Sequence, residues 1–141
     1  MPKLRGSTQI LDRSVTDALL YLPQTYLIVS AGRNNDSVTN QYLRGPDGTP
    51  TNLAPMILPF GAILTAISAS CYIPGTWTAE VHVGGSLFDP LSKLDIVAAT
   101  YESVNGLNIV FPLESGVQIY LNGTGIEFPR VDLIFRRQSW T

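Results

Sequence analysis

From residue 26 onward the chain sets short apolar runs between clusters of Gly, Pro, Asn and Asp, the pattern of β-strands separated by turns. The first run, Y-L-I-V-S-A at residues 26–31, closes on G-R-N-N-D. N-Q-Y-L-R at 40–44 predicts a short second strand, ending in the tight loop G-P-D-G-T-P at 45–50. Residues 52–60 carry Pro55 and Pro59, which confines them to an edge or irregular segment.

Residues 61–72 follow as a strand, with Ile63, Thr65, Ile67, Ala69 and Cys71 expected on one face of the pleat. Pro74-Gly75 reads as a turn into residues 77–83, where Trp77, Ala79, Val81 and Val83 alternate with Thr78, Glu80 and His82. The two runs together predict a hairpin with one solvated, polar face. Past Gly84-Gly85, residues 86–95 read as a loop, and further strands are expected at 96–101, 107–111, 117–121 and 131–136. In the last strand, Val131, Leu133 and Phe135 share one face and Asp132, Ile134 and Arg136 the other. About eight short strands without a long helix predict an all-β fold, an antiparallel β-sandwich of jelly-roll type built from two four-stranded sheets, over residues 26–141.

Residues 1–25 have a different texture, with isolated aliphatics among polar residues. Val15, Ala18, Leu19 and Leu22 fit a helical period, with Ser14 as cap and Pro23 as stop. One or two turns are unstable alone, so this N-terminal arm needs a surface to dock on. Its partner-binding candidates are Leu4, Ile10, Leu11, Val15, Leu19 and Leu22.

Composition narrows the function. Of 141 residues, 45% are hydrophobic and only 14% charged, against about 25% charged in an average domain. Such a surface predicts contacts with other chains. A formal net charge of −2 provides no basic field for nucleic acid or an anionic membrane. The longest apolar stretch, near Met56 to Ile67, is broken by Pro59, Gly61 and Thr65, so no membrane-spanning helix is expected. The start has no apolar core of a secretory signal, and on that ground the match of Asn35 and Asn122 to the glycosylation pattern is set aside.

Chemistry is sparse. Cys71 is the single cysteine and reads as a buried small hydrophobe. His82 is the single histidine, read as a surface or interface imidazole. No G-x-S-x-G elbow is present, the carboxylates are dispersed, and Gly84-Gly85 and G-T-G at 123–125 are turns rather than phosphate-binding loops. The expectation is a non-enzymatic protein with no catalytic residue, cofactor or metal. Two features stand out: the rigid 43–50 loop, with Arg44 and Asp47 as contact candidates, and the C-terminal Trp140, which reads equally as a contact with a neighbouring surface or as a plug in the domain's own core.

The opening G-S-T-Q-I-L-D-R-S-V-T-D-A-L-L resembles a segment common in tail, fibre and head proteins of tailed bacteriophages, matched here at Ile10, Asp12, Ser14, Val15 and Thr16. Y-L-R-G-P-D-G-T-P-T-N-L-A-P, L-P-F-G-A, T-W-T-A-E-V and R-V-D-L-I-F-R-R resemble the small β-sandwich domains of phage virion proteins. The resemblance implies a homotrimeric jelly roll anchored by its N-terminal arm, working in the virion after assembly in the host cytoplasm. The function expected from it is capsid decoration or cement, with the major capsid protein or another virion protein as partner. The alternative is a tail-fibre or receptor-binding tip, where loops 33–36 and 43–50 meet a host surface glycan and Tyr42, Trp77, Tyr101 and Tyr120 are stacking candidates. A third class, a small enzyme or lectin unrelated to viruses, has no local motif to support it.

Overall fold

The computed structural model describes residues 26–84 and 90–138. The arm candidates Leu4, Ile10, Leu11, Val15, Leu19 and Leu22, and also Trp140, lie outside them. Eight antiparallel strands appear in chain order: β1 (Tyr26–Gly32), β2 (Gln41–Tyr42), β3 (Met56–Ile57), β4 (Ala62–Val83), β5 (Ser92–Val104), β6 (Ile109–Phe111), β7 (Gly116–Gly123) and β8 (Arg130–Arg137). The all-β, sandwich-like class expected from the turn spacing is the one observed. The strands form one hydrogen-bonded sheet, however, rather than two separate four-stranded sheets.

The difference comes from β4. Its 22 residues run straight through Pro74-Gly75, so the hairpin expected there does not form. A two-residue hairpin turn of the favoured primed types needs positive φ, and Gly75 is not among the glycines that have it. The chain bends instead: the pairing of β4 with β5 shifts register on both sides of Gly75, and Tyr72 N–H donates to Glu127 O at 2.9 Å. One edge of β4 carries β8 along Ala62–Ser70 and then β7 along Trp77–Val83; the other carries β6 and β5. β5 also starts earlier than expected, at Ser92, because Leu94 and Ile96 alternate inward as β4 partners.

Two halves result, on either side of the bend, and their inner faces share one core. Leu64, Ile67 and Ala69 from the first half join Trp77, Ala79 and Val81 from the second, with Phe111, Val117, Ile119, Leu121, Val131, Leu133 and Phe135. Phe111 and Phe135 meet edge to face at 5.0 Å between centroids, a favourable aromatic geometry. The side-chain parity of β4 changes at Thr65, where a register shift against β8 marks a bulge. Ala62 and Leu64 point inward before it, and Ile67, Ala69 and Cys71 after it. Ile63 and Thr65 therefore leave the face predicted for them, while Cys71 is buried as expected.

Candidate functional site

Two places gather polar or charged side chains. The first is the outer face of the second half. Register sets Glu80 opposite Tyr120, His82 opposite Gln118, and Tyr120 opposite Tyr42, so these side chains share one face. The structure corrects the reading of His82 as a surface imidazole. It is fully buried, and Glu80 beside it is 8% exposed.

His82 Nε2 donates to Glu80 Oε1 at 2.8 Å, and Asn122 Nδ2 donates to Glu80 Oε2 at 3.0 Å. The Tyr42 and Tyr120 rings meet edge-on at 5.1 Å, and each lies about 6.5 Å from the imidazole. His82 Nδ1 is buried without a hydrogen-bond partner. Burial first, and then neighbouring Tyr120 and Glu80, raise the Tyr42 phenol above its ordinary value; burial and Glu80 do the same to Tyr120. Alternation misread this face because a carboxylate and an imidazole two residues apart look solvated in sequence. Here Glu80 is satisfied by His82 and Asn122 under an aromatic cover, while one imidazole nitrogen stays unpaired.

The second place is a groove of about 510 Å³ between two loops. Residues 33–34, following β1, form one wall, and residues 44–48 form the other. Gly32 and Arg44 exchange both backbone hydrogen bonds, at 2.9 and 2.8 Å, which ties the loops together. The chain after β7 closes the groove with Phe128, Pro129 and Arg130. A side chain at Gly32 would sit 2.8 Å from Pro129 O, so this approach requires glycine.

Arg33 Nε and Nη2 donate to Tyr42 O at 3.0 and 2.9 Å, and Arg44 Nη1 donates to Gly48 O. Arg130 is paired with Asp132, Nη2 to Oδ1 at 3.1 Å. Burial and then the Arg44 charge hold the Arg33 guanidinium below its ordinary value.

The two loops singled out in the sequence are thus brought together, with Arg44 on the groove. Asp47 is not on it: its Oδ1 accepts the Thr49 N–H at 3.0 Å and shapes the turn. Of the stacking candidates, Tyr42 and Tyr120 meet each other, Trp77 lies in the core at 2% exposure, and Tyr101 is exposed on β5. Phe128 was missed. Its signal is conformational, a positive φ of 48° in a bulky residue, which no sequence pattern announces.

Among the described residues no group of three His, Cys, Asp or Glu side chains is arranged to hold a metal ion, and no helix is long and apolar enough to cross a membrane. No protein-family model and no curated protein matches the chain. Among solved structures the chain is similar to FLHE, with a TM-score of 0.40 and 7% identity over 80% of this chain and 98% of that one, a likeness too distant to carry an inference.

Proposed function

We propose that the chain is a non-catalytic virion structural protein of the capsid decoration or cement kind, which self-associates, as a homotrimer, through its β domain and attaches to the particle through residues 1–25. The observation that supports self-association is the outer face of the first half. Register places Ile28, Ile134 and Ala66 in one row, and Tyr26, Arg136, Ile63 and Val110 in the next. Ile28 is 65% exposed, Tyr26 55% and Val110 52%. Arg136 is the charged member of this stretch, and the neighbouring rows hold Ser68, Ser70, Ser103 and Tyr101 beside the Arg130–Asp132 pair. A sheet face so poor in charge suits further copies of itself, because little like-charge repulsion opposes the contact. The attachment half of the proposal rests on the sequence of the arm.

The experiment is a mass measurement by light scattering together with a particle-binding assay. The full chain is expected to exceed monomer mass at micromolar concentration, and deletion of residues 1–22 to abolish capsid binding while the β domain stays folded. Full binding by the truncated chain, or a monomer, would overturn the proposal. The groove favours a second reading, a receptor-binding tip that recognises a surface glycan, because both loops expected to make that contact line it.

A further inference from the structure

The groove holds an unusual balance of charge. Three guanidinium-bearing residues line it, and only Arg130 has a carboxylate within ion-pair distance among the described residues. Arg33 and Arg44 line the same groove, brought there by the backbone bonds between Gly32 and Arg44. Main-chain carbonyls hold both in place, Tyr42 O for Arg33 and Gly48 O for Arg44. Those carbonyls use part of each guanidinium's five donors and offer no negative charge. Two fixed like charges beside an open groove repel, and an anion placed between them turns that repulsion into attraction.

The remaining lining is not that of a bare anion site. Phe128 is 42% exposed and adopts φ 48°, a strained conformation for an aromatic residue. Its N–H donates to Asn35 O at 2.8 Å, and the adjoining Pro129 O accepts the Arg33 N–H at 3.0 Å. Phe128 thus lines the groove, its ring meeting Tyr72 edge to face at 6.1 Å and its backbone fixed to the same loop that carries Arg33. Pro46 adds a second apolar surface and Asn34 an exposed amide. A rigid aromatic face, a few polar groups and a fixed cation pair together select a ligand with an apolar ring face and a carboxylate or phosphate.

We propose that this groove binds an acidic saccharide, with Arg33 and Arg44 receiving its anionic group and Phe128 packing on the sugar ring. This rests on the glycan-recognition reading and specifies its ligand. Calorimetric titration of the full chain with tetragalacturonate, with its methyl ester and with inorganic phosphate tests it. The free acid is expected to bind, and the ester, which keeps the sugar rings but loses the charge, to bind at least about tenfold more weakly.

Arg44→Gln, an exposed side chain in a loop fixed by backbone bonds, is expected to weaken the acid about tenfold with an unchanged melting temperature. Arg33→Gln is expected to do the same, with its melting curve reporting any loss of fold separately. Phe128→Leu is expected to lower affinity for the acid without changing that for phosphate.

Equal binding of acid and ester would overturn the anionic assignment while leaving glycan recognition standing. Phosphate binding as tight as the tetrasaccharide would overturn the sugar assignment. No binding of the acid overturns the proposal, and a panel of neutral host glycans then decides whether the broader reading falls with it.

Discussion

Gly123 shows how tightly single residues are fixed in this sheet. A Cβ there would lie 2.6 Å from Trp77 Cβ and 3.2 Å from its Cα, and backbone on that side cannot swing away. Gly123→Ala is expected to cost about 1–3 kcal/mol through overpacking, read as a lower thermal midpoint with unchanged secondary structure. The half-buried tyrosines make a prediction of the opposite kind, set by pH. Tyr42 and Tyr120 have raised values in the folded state, so unfolded chains ionise first as pH climbs. Their contribution to stability is present in full below the ordinary tyrosine value of 10.0 and is lost as pH rises through the raised ones. Tyr42→Phe is expected to flatten the alkaline fall in urea midpoint; an equally steep fall would show that the phenol is not the cause. The same cluster marks a limit of sequence reading. Period 2 identifies which residues share a face, and it did so for Thr78, Glu80 and His82, but it does not say whether that face is covered. The cover here comes from Tyr42 and Tyr120, and Tyr42 reaches the site only through the pairing of β2 with β7.

At the scale of elements, β4 is where local signals and tertiary pairing disagree. Most strands were legible: β1, β7 and β8 lie within one or two residues of their expected bounds, and Val131, Leu133 and Phe135, grouped on one face of β8 from the sequence, are its inward positions. Pro74-Gly75 carries real turn chemistry, yet strands on both flanks hold β4 extended, and backbone pairing outweighs a local preference worth little by comparison. The Thr65 bulge was equally invisible, because an extra residue in a strand leaves no mark except a change of parity that small residues on both faces obscure. It does yield a sharp test. Deleting Thr65 restores one-to-one pairing with β8 and keeps Ile67, Ala69 and Cys71 inward. It forfeits the bonds from Thr65 Oγ1 to Ile134 O and from Leu107 N–H to Thr65 O, each 3.0 Å, a loss of about 1–3 kcal/mol. Deleting Ser68 instead reverses every later side chain of β4. The first variant is expected to be soluble with a lowered melting temperature, and the second to fail to fold.

At the scale of the molecule, the outer face of the first half is the feature to test by substitution. Ile28→Glu changes an exposed side chain and is expected to move stability by no more than about 0.5 kcal/mol. It places a carboxylate in the proposed contact, so the mass at micromolar concentration is expected to fall to that of the monomer. An unchanged mass would locate self-association elsewhere.

The position of β4 also governs how the chain reaches this state. Every strand that pairs with β4 follows it in sequence, and β1, the first described strand, has only β8, the last, as its full-length partner. During synthesis β1 therefore emerges long before its partner exists, while β4 is joined early by β5 along one edge and waits for β7 and β8 along the other. Loop closure between the ends of the sheet must precede the β1–β8 edge, which slows the last stage of folding. Until then the exposed strands are open to pairing with other nascent copies. The low charge of the chain gives little protection over that interval, and the yield of folded protein depends on how soon β8 arrives.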